Sequence, residues 1–557
     1  MAICQNCGKA LPDDARFCLN CGKPVTAEGE PRGSARPAEA DAGAEPQDTG
    51  DVGPVERKRP AAPRKKRLPL LIVVLAIAAC LVLFFTLGRD GGGSGAEDAR
   101  RRAVSAFYDE DGDAWIPCAD GTCVRIKDEI RTASLTPDGK RAVVLTEDGE
   151  LYAAGKDLSG KTGLETKAAS FRTVSRSGFF YEANDRLYRY SFSRGSTVKL
   201  GSEIAGIVYS DDGSGVLYVR DGKLFCLPGG AEEPERLAGG ESVIRPLFFS
   251  DDGKTAIWGE ETEKGYTVML WEKGEKRKLG RVDGESIRAS GSRDRKLFVF
   301  SGYGDTGCIL LWEQGWEDAV RVRLEADWDG EVYTENGRLS GSSAEEGKAL
   351  YLSASDEGGR CVYKVTLDGD REQILSRVSE WTVADGRILW TRGDGTLLCG
   401  RLREGKIAEE TELDGEVRRL WITGGDHLYY VKGESAGECS LYCWKSGEKA
   451  PVEVDSEVFG SYGFFSLNGD MVVYLKDMDP DRNTGDLMLW TWGGLPVRLA
   501  GDAVIWGADS GYSDRHLDPD AFWFLADAEG DRGDLYFWNG REKKKLASDI
   551  DLGRIAY

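Results

Sequence analysis

Histidine is almost absent from this chain: His427 and His516 are the only two in 557 residues. A nucleophile–His–acid triad, or a histidine-rich metal centre, needs its imidazole beside a nucleophile or other ligands. Most His-dependent chemistry is therefore excluded. The body also lacks a G-x-S-x-G elbow, the strained turn that presents a hydrolase serine. Positive charge is short as well. The formal net charge is −22, and it is uneven: residues 1–90 hold 13 Lys and Arg against 11 Asp and Glu, which leaves about −24 on the remainder. A body this acidic repels polyanions, so no nucleic-acid partner is expected.

Turn formers and aromatics are abundant. The 72 glycines, 15 tryptophans and 20 tyrosines point to an all-β chain with many turns. At this length at least two folded units are expected. The 13 cysteines divide by position: Cys4, Cys7, Cys18 and Cys21 form a tight cluster, Cys80 lies in an apolar run, and eight are scattered through the body.

The N-terminal cluster reads C-x2-C-x10-C-x2-C, each pair in a C-x-x-C-G turn. Thiolates at i and i+3 can reach one tetrahedral ion, and Gly8 or Gly22 tolerates the bend around the sulfur. About 25 residues cannot build an adequate core, so a metal would supply most of the folding free energy. Disulfides or a rubredoxin-like iron site are the other readings of four such cysteines. The stretch "CQNCGKALPDDARFCLNCGKPV" resembles the short zinc-ribbon module found at the N-terminus of many bacterial membrane proteins. That resemblance implies structural Zn2+ held by Cys4, Cys7, Cys18 and Cys21, in a ribbon spanning 1–25 and facing the cytosol. A closed four-thiolate set leaves no open position for catalysis at the metal.

Residues 26–67 are rich in Ala, Pro, Gly and acids without apolar periodicity, and read as a disordered linker whose end is basic, from Arg57 to Arg67. Residues 68–87 form a nearly unbroken apolar run of the length that crosses a hydrocarbon core. Basic residues before it and "GRDGGGSGAED" after it predict one transmembrane helix with a cytoplasmic N-terminus. Ile77–Cys80 resembles a lipoprotein processing box, but "LVLFFTLG" continues the apolar run beyond Cys80. Residues 88–102 form a flexible joint.

Residues 103–557 repeat one grammar: a short apolar strand, a D-G or N-G turn, an alternating second strand, a third strand such as "LMLW" or "LYFW", and a short fourth. Four strands every 35–50 residues or so is the sequence form of a β-propeller blade. The third strand recurs around Leu151, Leu187, Leu224, Met269, Leu310, Val362, Leu397, Leu441, Met488 and Leu535, giving roughly ten units, arranged as one ring or two. "AWIPCADGTCVRI" and the final "IDLGRIAY" are expected to meet and close the ring. The S-x-D-G-K turns at Ser250–Lys254 and T-x-D-G-K at Thr136–Lys140 resemble those of TolB-type and prolyl-oligopeptidase-type propellers. The chain ends where a member of the latter family would begin its hydrolase domain, so the resemblance implies no peptidase activity.

Several candidate sites follow. Asp477, Asp479, Asp481 and Asn483 are spaced two apart, so their oxygens could converge on Ca2+, although an EF-hand wants Gly where Arg482 stands. Arg532-Gly533-Asp534 is an integrin-type tripeptide that reads better as the turn into a third strand. Cys118 and Cys123 would face each other across a hairpin in an oxidising compartment. The sequence predicts a non-enzymatic, membrane-anchored recognition or scaffold protein, whose propeller binds a protein or envelope polymer and whose ribbon binds a cytosolic protein. Its alternatives are an envelope enzyme of glycosidase or lyase type, with carboxylates in the propeller funnel, and a transmembrane sensor.

Overall fold

A computed structural model of the chain describes residues 2–3, 10–11 and 104–552, the last with breaks at 119, 128, 241, 304–307, 325–326, 345–347, 357–358, 404, 423–425, 434–438, 460–464, 467–469, 480–481, 483 and 505–521. Residues 1–95 and 96–557 form two separate units. In the first, Ala2–Ile3 pairs with Ala10–Leu11 in the register Ala2↔Leu11 and Ile3↔Ala10. The expected linker, the membrane segment 68–87 and the joint 88–102 lie outside the described residues. Among the described residues no helix is long and apolar enough to cross a membrane.

The second unit is a succession of antiparallel sheets, numbered here as structural units in chain order: one (residues 107–126), two (130–165), three (168–202), four (204–239), five (244–283), six (286–323), seven (327–375), eight (378–414), nine (417–458), ten (465–503) and eleven (522–551). Most have four strands in up-and-down order, so the first strand of each is one sheet edge and the fourth the other. Units nine and ten share one eight-stranded sheet through the single pair Val458↔Lys476. A short 3-10 turn, Leu339–Gly341, interrupts the strands in unit seven. All ten predicted third-strand anchors fall on described strands, from Leu151–Gly155 through to Arg532–Trp538.

The burial pattern explains why the middle strands read as apolar runs. Val216–Arg220 is buried at four of its five positions, whereas the fourth strand Ser196–Ser202 is mostly exposed. Each sheet lies between two others, so its middle strands meet side chains on both faces. Trp258 and Trp312, 0% and 1% exposed, fill the spaces around unit five. Fully burying such a side chain stabilises by roughly 2–3 kcal/mol.

Each apolar cluster draws on two successive units, and the last pair joins the two ends of the described domain. Phe107 of unit one packs with Leu525, Leu535, Ala547 and Ile550 of unit eleven, and Trp115 and Cys123 lean on the same cluster. Asp109 bridges Ile550, Lys544 Nζ donates to the Gly121 carbonyl at 3.0 Å, and Arg532 lies 2.5 Å from Glu110. The predicted meeting of the ends is present, with one difference. Ile550 and Asp551 belong to the last strand of unit eleven, Lys543–Asp551, rather than starting a strand of their own, because their backbone pairs with Arg532 and Gly533.

Candidate functional site

One ionisable cluster gathers around the first strands of units eight and nine. In unit eight the first strand, Val378–Ala384, is bulged between Val378 and Trp381, which takes Glu380 out of the regular ladder. A carboxylate oxygen of Glu380 accepts the Leu420 N–H of the neighbouring first strand at 2.5 Å. Burial pushes the Glu380 carboxyl up, opposed by that N–H and by the charges of Arg419 and Arg360, while Glu331 adds to the rise. Arg360 in turn donates to the Ser379 carbonyl at 2.8 Å. Units seven, eight and nine thus bring two carboxylates and two guanidiniums to adjoining strands.

A second cluster surrounds His427, whose side chain is 1% exposed. Nδ1 lies 2.7 Å from Asp426, Nε2 lies 3.3 Å from Asp470, and Lys445 sits 3.8 and 3.5 Å from the same two carboxylates. Its ring meets Trp492 edge-on at 5.1 Å. Asp426 holds the imidazole at Nδ1 and the ring packs against Trp492 of unit ten. Histidine scarcity hid this cluster: the partners lie one and 43 positions away in the chain and only the fold joins them.

Of the predicted calcium residues, Asp477 and Asp479 are exposed at the end of the strand Met471–Asp479. Asp481 and Asn483 lie outside the described residues. The Arg482 N–H donates to Asp479 at 3.2 Å and its guanidinium lies 3.0 Å from Asp502, so the loop spends its anionic groups on a cation of its own. Among the described residues no group of three or more His, Cys, Asp or Glu side chains could hold a metal ion. Calcium has no support here. Arg532-Gly533-Asp534 opens the strand Arg532–Trp538: Gly533 pairs with Ile550 and Asp534 binds Lys545.

The eight body cysteines are free thiols. Cys118 and Cys123 do sit on one hairpin, where burial, with Cys118 nearby, pushes the Cys123 thiol up to about 12. Cys226, Cys361 and Cys399 are 0–5% exposed and serve as small core groups, whereas Cys308 is half-buried.

Cys4, Cys7, Cys18 and Cys21 lie outside the described residues. A donor set of four thiols, spaced as two C-x-x-C pairs, fits one tetrahedral zinc ion. A family model described as a zinc-ribbon domain matches residues 3–25. No curated protein matches the chain. Among solved structures the chain is similar to one titled as the eukaryotic initiation factor, at 9% identity and TM-score 0.39, over 71% of this chain and 95% of that one. It is also similar to the tricorn protease, at 10% identity and TM-score 0.26, over 81% and 65%. A puromycin-hydrolysing peptidase of Mycobacterium tuberculosis matches at 13% identity and TM-score 0.29, over 55% and 53%. The chain thus spans between about half and two thirds of both peptidases, and no activity is carried over from them.

Proposed function

We propose that this is a bacterial single-pass membrane protein that recognises or scaffolds rather than catalyses. A zinc ribbon held by Cys4, Cys7, Cys18 and Cys21 binds a cytosolic protein. The units of 104–552 form one closed β-propeller that binds a protein or envelope polymer outside the membrane. The observation that carries this reading is the arrangement along the chain: a ribbon matched at 3–25, a basic-flanked apolar run at 68–87, then a long repeat of sheets. Support for one ring rather than two comes from the cyclic order of the packing clusters, with Phe107 against Ile550 joining the ends. A closed ring covers both faces of every sheet and presents its first strands and loops as a recognition surface.

The test uses intact cells making the full chain with an N-terminal tag. External protease is expected to cleave the repeat domain while the tag stays protected. Loss of the tag under those conditions would defeat the topology. A second reading, an envelope enzyme, is favoured by Glu380 lying among Arg360, Arg419 and Glu331. It requires turnover of an envelope polymer by the full chain that Glu380→Gln abolishes, and the recognition reading expects none.

A further inference from the structure

In a chain of net charge −22, the first strands of units two to six carry no acidic residue at all. These strands are Ile130–Leu135, Ala168–Arg172, Ile204–Tyr209, Ile244–Phe249 and Ser286–Gly291. Four of the five bear an exposed arginine: Arg131, Arg172, Arg245 and Arg288. The acids of the described first strands lie instead in units seven, eight and eleven, at Asp327, Asp329, Glu331, Glu380, Asp527 and Glu529.

The basic strands adjoin one another. Arg131 reaches across to the Ala169 carbonyl at 3.4 Å. The strand Ile204–Tyr209 packs on Ile244–Phe249, which packs on Ser286–Gly291. A Cβ on Gly206 would sit 3.1 Å from the Pro246 ring, so the approach between the first two of these is close. Arg245 and Arg288 therefore stand on neighbouring strands. Arg131 and Arg172 already lean on Glu147 and Glu182, at 3.5 and 3.4 Å, in pairs that are exposed on both sides and weak. Arg245 has no partner among the described residues. In units three to six these strands are also sheet edges, with backbone N–H and C=O groups unpaired on one side.

The geometry points to a binding site for an extended acidic peptide along the first strands of units two to six. Guanidinium forks match carboxylates two hydrogen bonds at a time, and a free strand edge offers main-chain partners at the spacing of an extended peptide. The surrounding negative charge of the body repels anions elsewhere and so confines them to this basic strip. A phosphate polymer would find the guanidiniums but has no use for the strand edges. This inference names the ligand class within the recognition reading, and it does not depend on membrane topology or on ring closure.

The test measures binding of fluorescein-labelled octaglutamate, octaglutamine and inorganic polyphosphate to the purified full-length chain. Octaglutamate is expected to bind, more weakly as salt rises, and octaglutamine not to bind. The double variant Arg245→Glu/Arg288→Glu is expected to lose at least about tenfold in affinity, and Arg245→Gln/Arg288→Gln a smaller part of it. Lys278→Glu, which alters an exposed lysine on the fourth strand of unit five, is expected to stay within about twofold. Thermal unfolding midpoints equal to that of the parent show that the variants fold. No octaglutamate binding, equal losses in Lys278→Glu, or polyphosphate binding about tenfold tighter than octaglutamate would each overturn the proposal. A protected N-terminal tag in intact cells combined with any of these results leaves the scaffold reading standing and removes only the ligand.

Discussion

At the scale of single residues, the same small hydrogen-bonded device recurs between first and second strands. Thr136, Ser210, Ser250 and Ser292 each donate a hydroxyl to the aspartate two positions on, at 2.6 to 2.7 Å. The same hydroxyl accepts a backbone N–H from the far side of the turn, Leu297 in the case of Ser292. Ser292 is fully buried, so Ser292→Ala strips Asp294 and Leu297 of a partner that water replaces poorly. A loss of about 1–3 kcal/mol in urea unfolding is expected; a change within experimental error would show that the turn holds without its hydroxyl. Thiol chemistry gives a second expectation. Burial of Cys226 and Cys443, and of Cys123 to a lesser degree, pushes their thiols up to about 12, so native protein at pH 8 should alkylate at these positions far more slowly than denatured protein. Mass spectrometry of iodoacetamide-treated samples checks this, and rapid labelling of Cys226 would contradict the burial. The S-x-D-G turns were legible in sequence because Ser, Asp and Gly each have a local reason to be there. Several left-handed residues near the junctions between units were not legible. They are Glu203 and Glu416, just before first strands, and Glu457, Asp502 and Asp549, inside closing strands whose pairing shifts register; all are exposed acids rather than glycine, with φ of 43–58°.

At the scale of strands and sheets, a latch joins each of two units to the one before it. Tyr430 and Lys432 of unit nine bind Asp414 of unit eight at 2.6 and 2.8 Å, and Tyr474 and Lys476 of unit ten bind Asp455 of unit nine at 2.6 and 2.7 Å. Burial opposes the charges of Asp414 and Lys432, but each holds the other ionised: Asp414 lies below its ordinary value, helped by the Tyr430 hydroxyl, and Lys432 lies above. Asp414, lowered in the fold, contributes stability that is complete above the ordinary carboxylate range and is lost as pH falls through its lower folded value. Lys432, raised in the fold, contributes stability that is complete below the ordinary lysine value and is lost as pH rises through its higher folded one. Asp414→Asn is expected to cost about 1–3 kcal/mol at pH 7, with the gap to the parent closing as the medium is acidified below about pH 4. Chemical denaturation across that range checks it; a gap independent of pH would mean that shape, not charge, holds the latch. Nothing in the sequence marked these pairs, because tyrosine and lysine two apart are ordinary on a strand and their partner belongs to the preceding unit. The third strands were legible because two covered faces leave a continuous apolar run ending in Trp or Cys, as in "CILLW" at Cys308–Trp312.

At the scale of the whole molecule, the joining of the two ends decides how units one and eleven survive. Both are described with three strands, and each covers the apolar side of the other through Phe107 and Ile550. Ile550 is fully buried, and Ile550→Ala is expected to cost about 2–4 kcal/mol. If the ends stabilise one another, the same change should raise amide hydrogen exchange in residues 107–126, far away in sequence. Exchange that rises only around the substitution would show that the ends do not depend on one another.

The sequence by itself determined the repeat, the all-β class, the ten third-strand anchors and the four-cysteine ribbon motif. Each of these is written in short stretches where spacing, turn chemistry and alternation act locally, and the repeat in the recurrence of such stretches along the chain. Only the tertiary structure decided which ionisable groups share a space. The basic first strands of units two to six, the Glu380 cluster and the cluster around His427 each arise where separate sheets are laid side by side. The physical reason is that a strand fixes only the directions of its own side chains, whereas their neighbours depend on which sheet packs next to it.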